Sequence, residues 1–109
     1  MEIFNAVNQL AALAHETRLA VFRSLVQTGP EGLPAGEIAK LHDLPSPTLT
    51  FHLNILSNAK MVSATRDGRV IRYAPRFDEM NSLLDFLTEN CCAGSSCAPV
   101  AKPKKGASK

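Results

Sequence analysis

Apolar residues recur along this chain at two different periods, and the switches between them mark out its elements. Over residues 3–14, Phe4, Val7, Leu10, Ala11 and Ala14 stand at helical spacing, and Leu19, Phe22, Leu25 and Val26 repeat the pattern until Gly29-Pro30 interrupts it. Two helices are therefore expected first. Pro30, Gly32 and Pro34 predict a turn-rich connection. A short helix over about 35–42 follows, with Ile38, Ala39 and Leu41 turned inward. In "DLPSPTLTFHLNILSNAK", the Ser46 hydroxyl is suited to cap a new helix and Pro47 to its first position, where a missing N–H costs nothing. Leu49, Leu53 and Leu56 form that helix's buried stripe, which leaves Thr48, Thr50, His52 and Asn54 on other faces. The period then drops to two: "MVSATRDGRVIRYAP" predicts a hairpin turning at Asp67-Gly68. A last helix is expected over 78–90, with Met80, Leu83, Leu84 and Leu87 on one stripe and Asp78 as its cap. Beyond it the periodicity fails.

Composition narrows the class without naming it. At 109 residues, 45% hydrophobic and 20% charged, the chain is expected to form one folded domain. No apolar run approaches the length of a membrane span, and "MEIFNAVNQL" lacks the basic and apolar regions of a signal peptide, so a cytoplasmic location is the expectation. The net charge of +2 is too small to indicate a nucleic-acid partner. Its distribution says more, because Arg66, Arg69, Arg72 and Arg76 crowd the hairpin while Lys102, Lys104, Lys105 and Lys109 decorate the end. The domain organisation that follows is a folded unit over 1–90, a cysteine segment over 91–97 and a flexible basic tail over 98–109.

A short helix, a tight turn, a polar-faced helix and a basic hairpin, in that order, predict a mainly α winged helix-turn-helix whose second helix of the pair enters the major groove. Ser46, Thr48, Thr50 and His52 carry small or planar polar groups able to approach base edges and phosphates. Arg66, Arg69 and Arg72 are placed to reach phosphates or an adjacent minor groove. Singly these features describe solvated surface; their order carries the reading. The first and last helices also bear more apolar surface than one small domain can cover, which favours pairing of two copies.

These segments resemble the ArsR/SmtB-type metal- and metalloid-responsive repressors over roughly 4–90. "LAALAHETRLAVFRSL" is similar to the family's second-helix signature, "GEIAKLHDLPSPTLTFHLNILSNAKMV" to its helix-turn-helix and "RDGRVIRYAP" to its wing. The resemblance implies an α1-α2-α3-α4-β1-β2-α5 order, a homodimer joined through its first and last helices, and an inverted-repeat operator on double-stranded DNA. It further implies contacts from Ser46, Thr48, Thr50 and His52, and from the wing near Arg69.

All the chain's thiols lie in "TENCCAGSSCAP", as Cys91, Cys92 and Cys97. An odd number in a reducing compartment points away from structural disulfides and towards metal binding or reactivity. One effector site of the resembled family is a cysteine cluster before the recognition helix, and "GLPAGEIAKLH" has none; another uses Asp and His on the last helix, and "DEMNSLLDFLTEN" has no histidine. Three soft thiolates suit a trivalent centre such as As(III) or Sb(III) better than structural zinc, which takes four ligands. The spacing is also similar to the C-terminal triad of a subgroup of arsenical repressors. The expectation is a repressor released from DNA when Cys91, Cys92 and Cys97 bind As(III) or Sb(III). The alternatives are a thiol-redox-sensing repressor, a thiol-dependent metalloid-handling protein, and a winged helix used only for protein contact. Enzymatic function is not expected, since no Cys-x-x-Cys opens a helix, no phosphate loop is present and no histidine lies near the thiols.

Overall fold

The computed structural model of the chain describes residues 1–94. Five helices and a small sheet run in the order α1 (Ile3–Leu13), α2 (Glu16–Thr28), β1 (Leu33–Pro34), α3 (Ala35–His42), α4 (Ser46–Asn58), β2 (Val62–Asp67), β3 (Val70–Pro75) and α5 (Phe77–Thr88), closed by a 3-10 turn over Cys91–Gly94. This is the winged helix-turn-helix arrangement that the sequence predicts, with one strand more. β1 pairs antiparallel with β3, so the sheet order is β1-β3-β2. Two residues, one of them a proline without an N–H, carry too little periodic signal to read as a strand, and edge placement is where proline is tolerated.

The core lies between α2, α3, α4 and the sheet. Val21, Leu25, Ile38, Leu49, Leu53, Leu56 and Met61 are fully buried there, joined by Phe22, Val62 and Tyr73. The α4 stripe of Leu49, Leu53 and Leu56 is as expected. Leu41 is not turned inward: it is 62% exposed, because Ile38 and Ala39 already fill the contact that so short a helix makes. The helix starts also differ in detail. Ser46 is the first residue of α4 rather than its cap, which falls on Pro45. Arg76 precedes α5, and Asp78 sits within its first turn. There Asp78 takes two bonds from the Arg76 guanidinium, at 3.3 Å from Nε and 3.0 Å from a terminal nitrogen, and that pairing holds its carboxyl below the usual range.

Among the described residues, two surfaces are left uncovered. On α1 the inward face is small, Ala6, Gln9 and Ala12, while Ile3, Phe4, Val7 and Leu10 face outward; on α5 only Leu83 is buried, and Leu84 and Leu87 are exposed.

Candidate nucleic-acid interface

The helix-turn-helix is built by a short reversal. α3 ends at Asp43, whose left-handed φ of 53° lets its N–H close onto the Lys40 carbonyl, and Pro45 then starts α4 without competing for a hydrogen bond. Four residues of α4, Leu49, His52, Leu53 and Leu56, face the core, so the opposite face is fixed by geometry: Pro47, Thr50, Phe51, Asn54 and Asn58 are all exposed at successive helical turns. Ser46 and Thr48 are exposed at the margins of that face.

His52 corrects the sequence reading. It is 7% exposed, directed at the corner between α1 and α2, and does not join Thr50 on the outer face. Its spacing gives the reason, since it lies three residues after Leu49 and four before Leu56, inside the apolar stripe. One residue to which the sequence pattern assigns no role takes a place on the outer face: Phe51 is 60% exposed at its centre. Apolar residues are assigned to the core by default, and only the phase of the stripe reveals that this one points away.

The wing is a tight hairpin with Asp67 opposite Val70 and Gly68-Arg69 between them. Gly68 has the positive φ, 65°, at the first central position, which is where a type II′ turn needs glycine, so the turn is one residue later than Asp67-Gly68. Arg66 pairs with Ile71 and Arg72 with Thr65. Neighbouring positions alternate across a sheet, so Arg66 and Arg72 emerge from opposite faces of the ribbon. Arg66 and Arg69 are exposed. Arg72 is half-buried and donates at 3.2 Å to the Gly32 carbonyl, an anchor between the wing and the α2–α3 connection rather than a free cation. Gly32 itself cannot be replaced cheaply: its φ is +70°, and a Cβ there would overlap the Tyr73 carbonyl oxygen.

After α5, with Asn90, Cys92 and Ala93 in the left-handed region, the adjacent side chains of Cys91 and Cys92 converge and their sulfurs lie 3.4 Å apart. Neither is in a disulfide with another of the described residues. Among the described residues no group of three or more His, Cys, Asp or Glu is gathered for a metal ion. Cys97 and the basic tail over 98–109 lie outside the described residues. Among the described residues, no helix is long and apolar enough to cross a membrane.

Comparison with known proteins agrees with this geometry. A helix-turn-helix domain family matches residues 13–63, the stretch from the end of α1 to the start of the wing. The transcriptional repressor SdpR of Bacillus subtilis is 30% identical over 86 residues, covering 75% of this chain and 92% of that protein. Among solved structures, NolR from Sinorhizobium fredii superposes with a TM-score of 0.63 at 31% identity, over 80% of this chain and 84% of its own. An ArsR-like transcriptional regulator from Rhodococcus sp. RHA1 gives a TM-score of 0.71 at 26% identity, over 84% and 83%.

Proposed function

The chain belongs to the ArsR-type winged-helix transcriptional regulators, DNA-binding proteins rather than enzymes, and from that premise we propose that it is an As(III)- or Sb(III)-responsive repressor acting as a homodimer on an inverted-repeat operator. The outer face of α4 enters the major groove. Ser46, Thr48 and Thr50 supply hydroxyl contacts there, while Arg66 and Arg69 of the wing supply phosphate contacts. Two copies pair through the uncovered apolar faces of α1 and α5, which present the two α4 helices about one DNA turn apart, roughly 34 Å.

The observation that carries the effector assignment is the 3.4 Å separation of Cys91 and Cys92 sulfurs. With metal–sulfur bonds of about 2.3 Å, the length found for thiolate on zinc, two sulfurs at that distance subtend about 95° at a common centre. That angle favours a pyramidal centre carrying a lone pair over a tetrahedral one. The third sulfur is assigned to Cys97. Arsenous acid then exchanges its three hydroxyls for three thiolates; each thiol proton leaves in a water molecule and arsenic stays trivalent. The backbone spacing of the two cysteines, not the distance between their sulfurs, disfavours redox closure between them. Disulfides span Cα atoms about 4.4–6.8 Å apart, and neighbours across a trans peptide are only about 3.8 Å apart.

Because the cysteines follow directly on α5, ordering them around arsenic acts on a helix of the dimer face. It shifts the pair of reading helices away from the spacing that fits successive grooves, and linkage requires that DNA weaken arsenite binding by the same factor. The test uses a duplex that the protein itself selects from a random library. In an anisotropy titration under reductant, arsenite is expected to release the wild type and to leave the Cys91→Ser, Cys92→Ser, Cys97→Ser triple variant bound. Release of the triple variant by arsenite refutes the site. Release by peroxide alone replaces this reading with thiol-redox sensing.

A further inference from the structure

One guanidinium joins the end of the first helix to the middle of the reading helix. Arg18 donates from Nε to the Ala12 carbonyl at 2.7 Å and from a terminal nitrogen to His52 Nδ1 at 3.2 Å. Ala12 lies in the last turn of α1, where carbonyls have no intrahelical partner and the helix dipole favours a cation. His52 lies midway along α4, between the core leucines. We propose that Arg18 is a positioning residue that holds the reading helix against the α1–α2 corner, and that His52 makes this hold, and with it DNA binding, sensitive to acid. The proposal rests on α4 being the helix that reads DNA.

The proton inventory of the pair follows from donor chemistry. Arginine has no acceptor, so His52 Nδ1 carries no proton and the ring is the Nε2–H tautomer. A second proton on His52 has only Nδ1 to occupy, where it displaces the Arg18 bond and faces a cation. His15, the N-cap of α2, stands with its ring centre 4.8 Å from that of His52, and its own Nδ1 is already used as acceptor for the Thr17 N–H. His15 and Arg18 are the charged groups that bear on His52, and both disfavour its cation, as does burial, the largest cause of its lowered proton affinity. The carboxylates on the elements packed on α4, Glu16 of α2, Glu37 of α3 and Asp67 of β2, are not among the groups that bear on His52. α1 has no ionisable residue over Ile3–Leu13, and α3 carries Glu37, Lys40 and His42, of which His42 is engaged with Ser24 at 2.8 Å. β2 holds Arg66 and Asp67 at its outer end.

Protonation of His52 therefore breaks the link and places like charges together. The disturbance passes directly to the outer face of α4, because the Phe51 ring packs edge-on against His52, ring centres 5.4 Å apart. The sign is fixed by the lowered proton affinity: the link is intact above the ordinary histidine value of 6.5 and is lost as pH falls below it.

The deciding experiment measures affinity for the library-selected duplex by anisotropy at constant ionic strength, at about pH 8 and about pH 5.5. For wild type we expect a loss of affinity at the lower pH, the direction that the lowered proton affinity of His52 requires. His52→Asn keeps an acceptor at the Nδ1 position but cannot titrate, so its ratio between the two pH values should fall to about one. Arg18→Lys keeps the charge but cannot bridge both acceptors, and should bind more weakly at both. An unchanged ratio in His52→Asn overturns the proposal, as does binding by the wild type that tightens on acidification, the mark of a His52 that contacts phosphate directly. Failure to select any duplex speaks against the repressor reading instead. In that event, NMR of the free protein still decides: the His52 ring must titrate as an Nε2–H tautomer together with the amides of α4, and a ring that titrates without them refutes the link.

Discussion

Gln9 on α1 donates from Nε2 to Oε1 of Glu79 on α5 at 2.8 Å, a bond between the first and last helices across 70 positions of sequence. The carboxylate fixes the orientation of the amide, since the reverse would set oxygen against oxygen. Gln9 is 2% exposed, and its Oε1 is left buried without a partner among the described residues, above a polar hollow that includes Asn5, Asn58 and Ser82. A buried acceptor without a donor costs about 1–3 kcal/mol, which offsets most of what the bond to Glu79 gains. Gln9→Met, which keeps the volume and removes both polar atoms, is expected to leave the melting temperature unchanged or to raise it. Gln9→Ala leaves a void and should lower stability by about 1–3 kcal/mol. Thermal unfolding of the two variants checks this, and a large loss in Gln9→Met would show that the amide contributes more than its volume.

Gly32 ties the wing to the body by the absence of a side chain. Its Cβ would overlap the Tyr73 carbonyl, which belongs to the backbone and cannot rotate aside, and its φ of +70° is adverse to any other residue. Gly32→Ala is expected to cost about 2–4 kcal/mol, combining backbone strain with displacement of β3 from β1. Chemical denaturation measures the loss. A change within about half a kcal/mol would mean that β1 moves away without penalty.

Much of this architecture is legible because period and punctuation change together. The shift from helical spacing to alternation after α4, and the prolines before it, locate the helix-turn-helix and wing without reference to any structure. His52 and Phe51 on α4 share one cause, a conflict between side-chain type and helical phase that phase wins. His52 is polar by type, yet its spacing from Leu49 and Leu56 puts it in the buried stripe; Phe51 is apolar by type, yet the same stripe turns it outward. Arg72 shows a different limit. Nothing local in "RDGRVIRYAP" indicates that its partner is the Gly32 carbonyl, 40 residues earlier, because that bond exists only once β1 has joined the sheet.

The two wing arginines should therefore separate in experiment. Arg69, exposed in the turn, is expected on replacement by Ala to lower the slope of log affinity against log salt by about 0.9 for each phosphate it no longer neutralises, close to two for a dimer. Arg72→Ala should lower thermal stability by about 1–2 kcal/mol by removing the anchor on Gly32, with a smaller effect on the salt slope. Salt titrations and melting curves on both variants decide; equal slopes and equal stabilities would remove the distinction.

Phe51, at the centre of the outer α4 face, offers an apolar edge where a thymine 5-methyl group is the one apolar feature of the major groove. Replacing a contacted thymine in the selected duplex by deoxyuridine deletes that methyl alone. The expected loss is about fourfold per half-site, equivalent to about 0.8 kcal/mol for one buried carbon. Phe51→Ala should bind the two duplexes equally. A wild type indifferent to deoxyuridine at every thymine of the site would assign Phe51 another role.

The three cysteines should not be equivalent. Cys91 and Cys92 already hold their sulfurs at the separation of a shared centre, whereas Cys97, outside the described residues, is the proposed third ligand. Cys97→Ser leaves the arranged pair intact, and a monothiol in solution can take the third position on arsenic. At millimolar concentrations that thiol is in large excess over the protein, so arsenite should again release this variant from DNA. Loss of Cys91 or Cys92 breaks the pair, and the same monothiol should restore little. Arsenite titrations of the three single variants, bound to DNA and with added 2-mercaptoethanol, give the order. Equal rescue of all three would mean that the pair is not arranged in advance of the ligand, and that the 3.4 Å separation has no part in the selectivity for a trivalent centre.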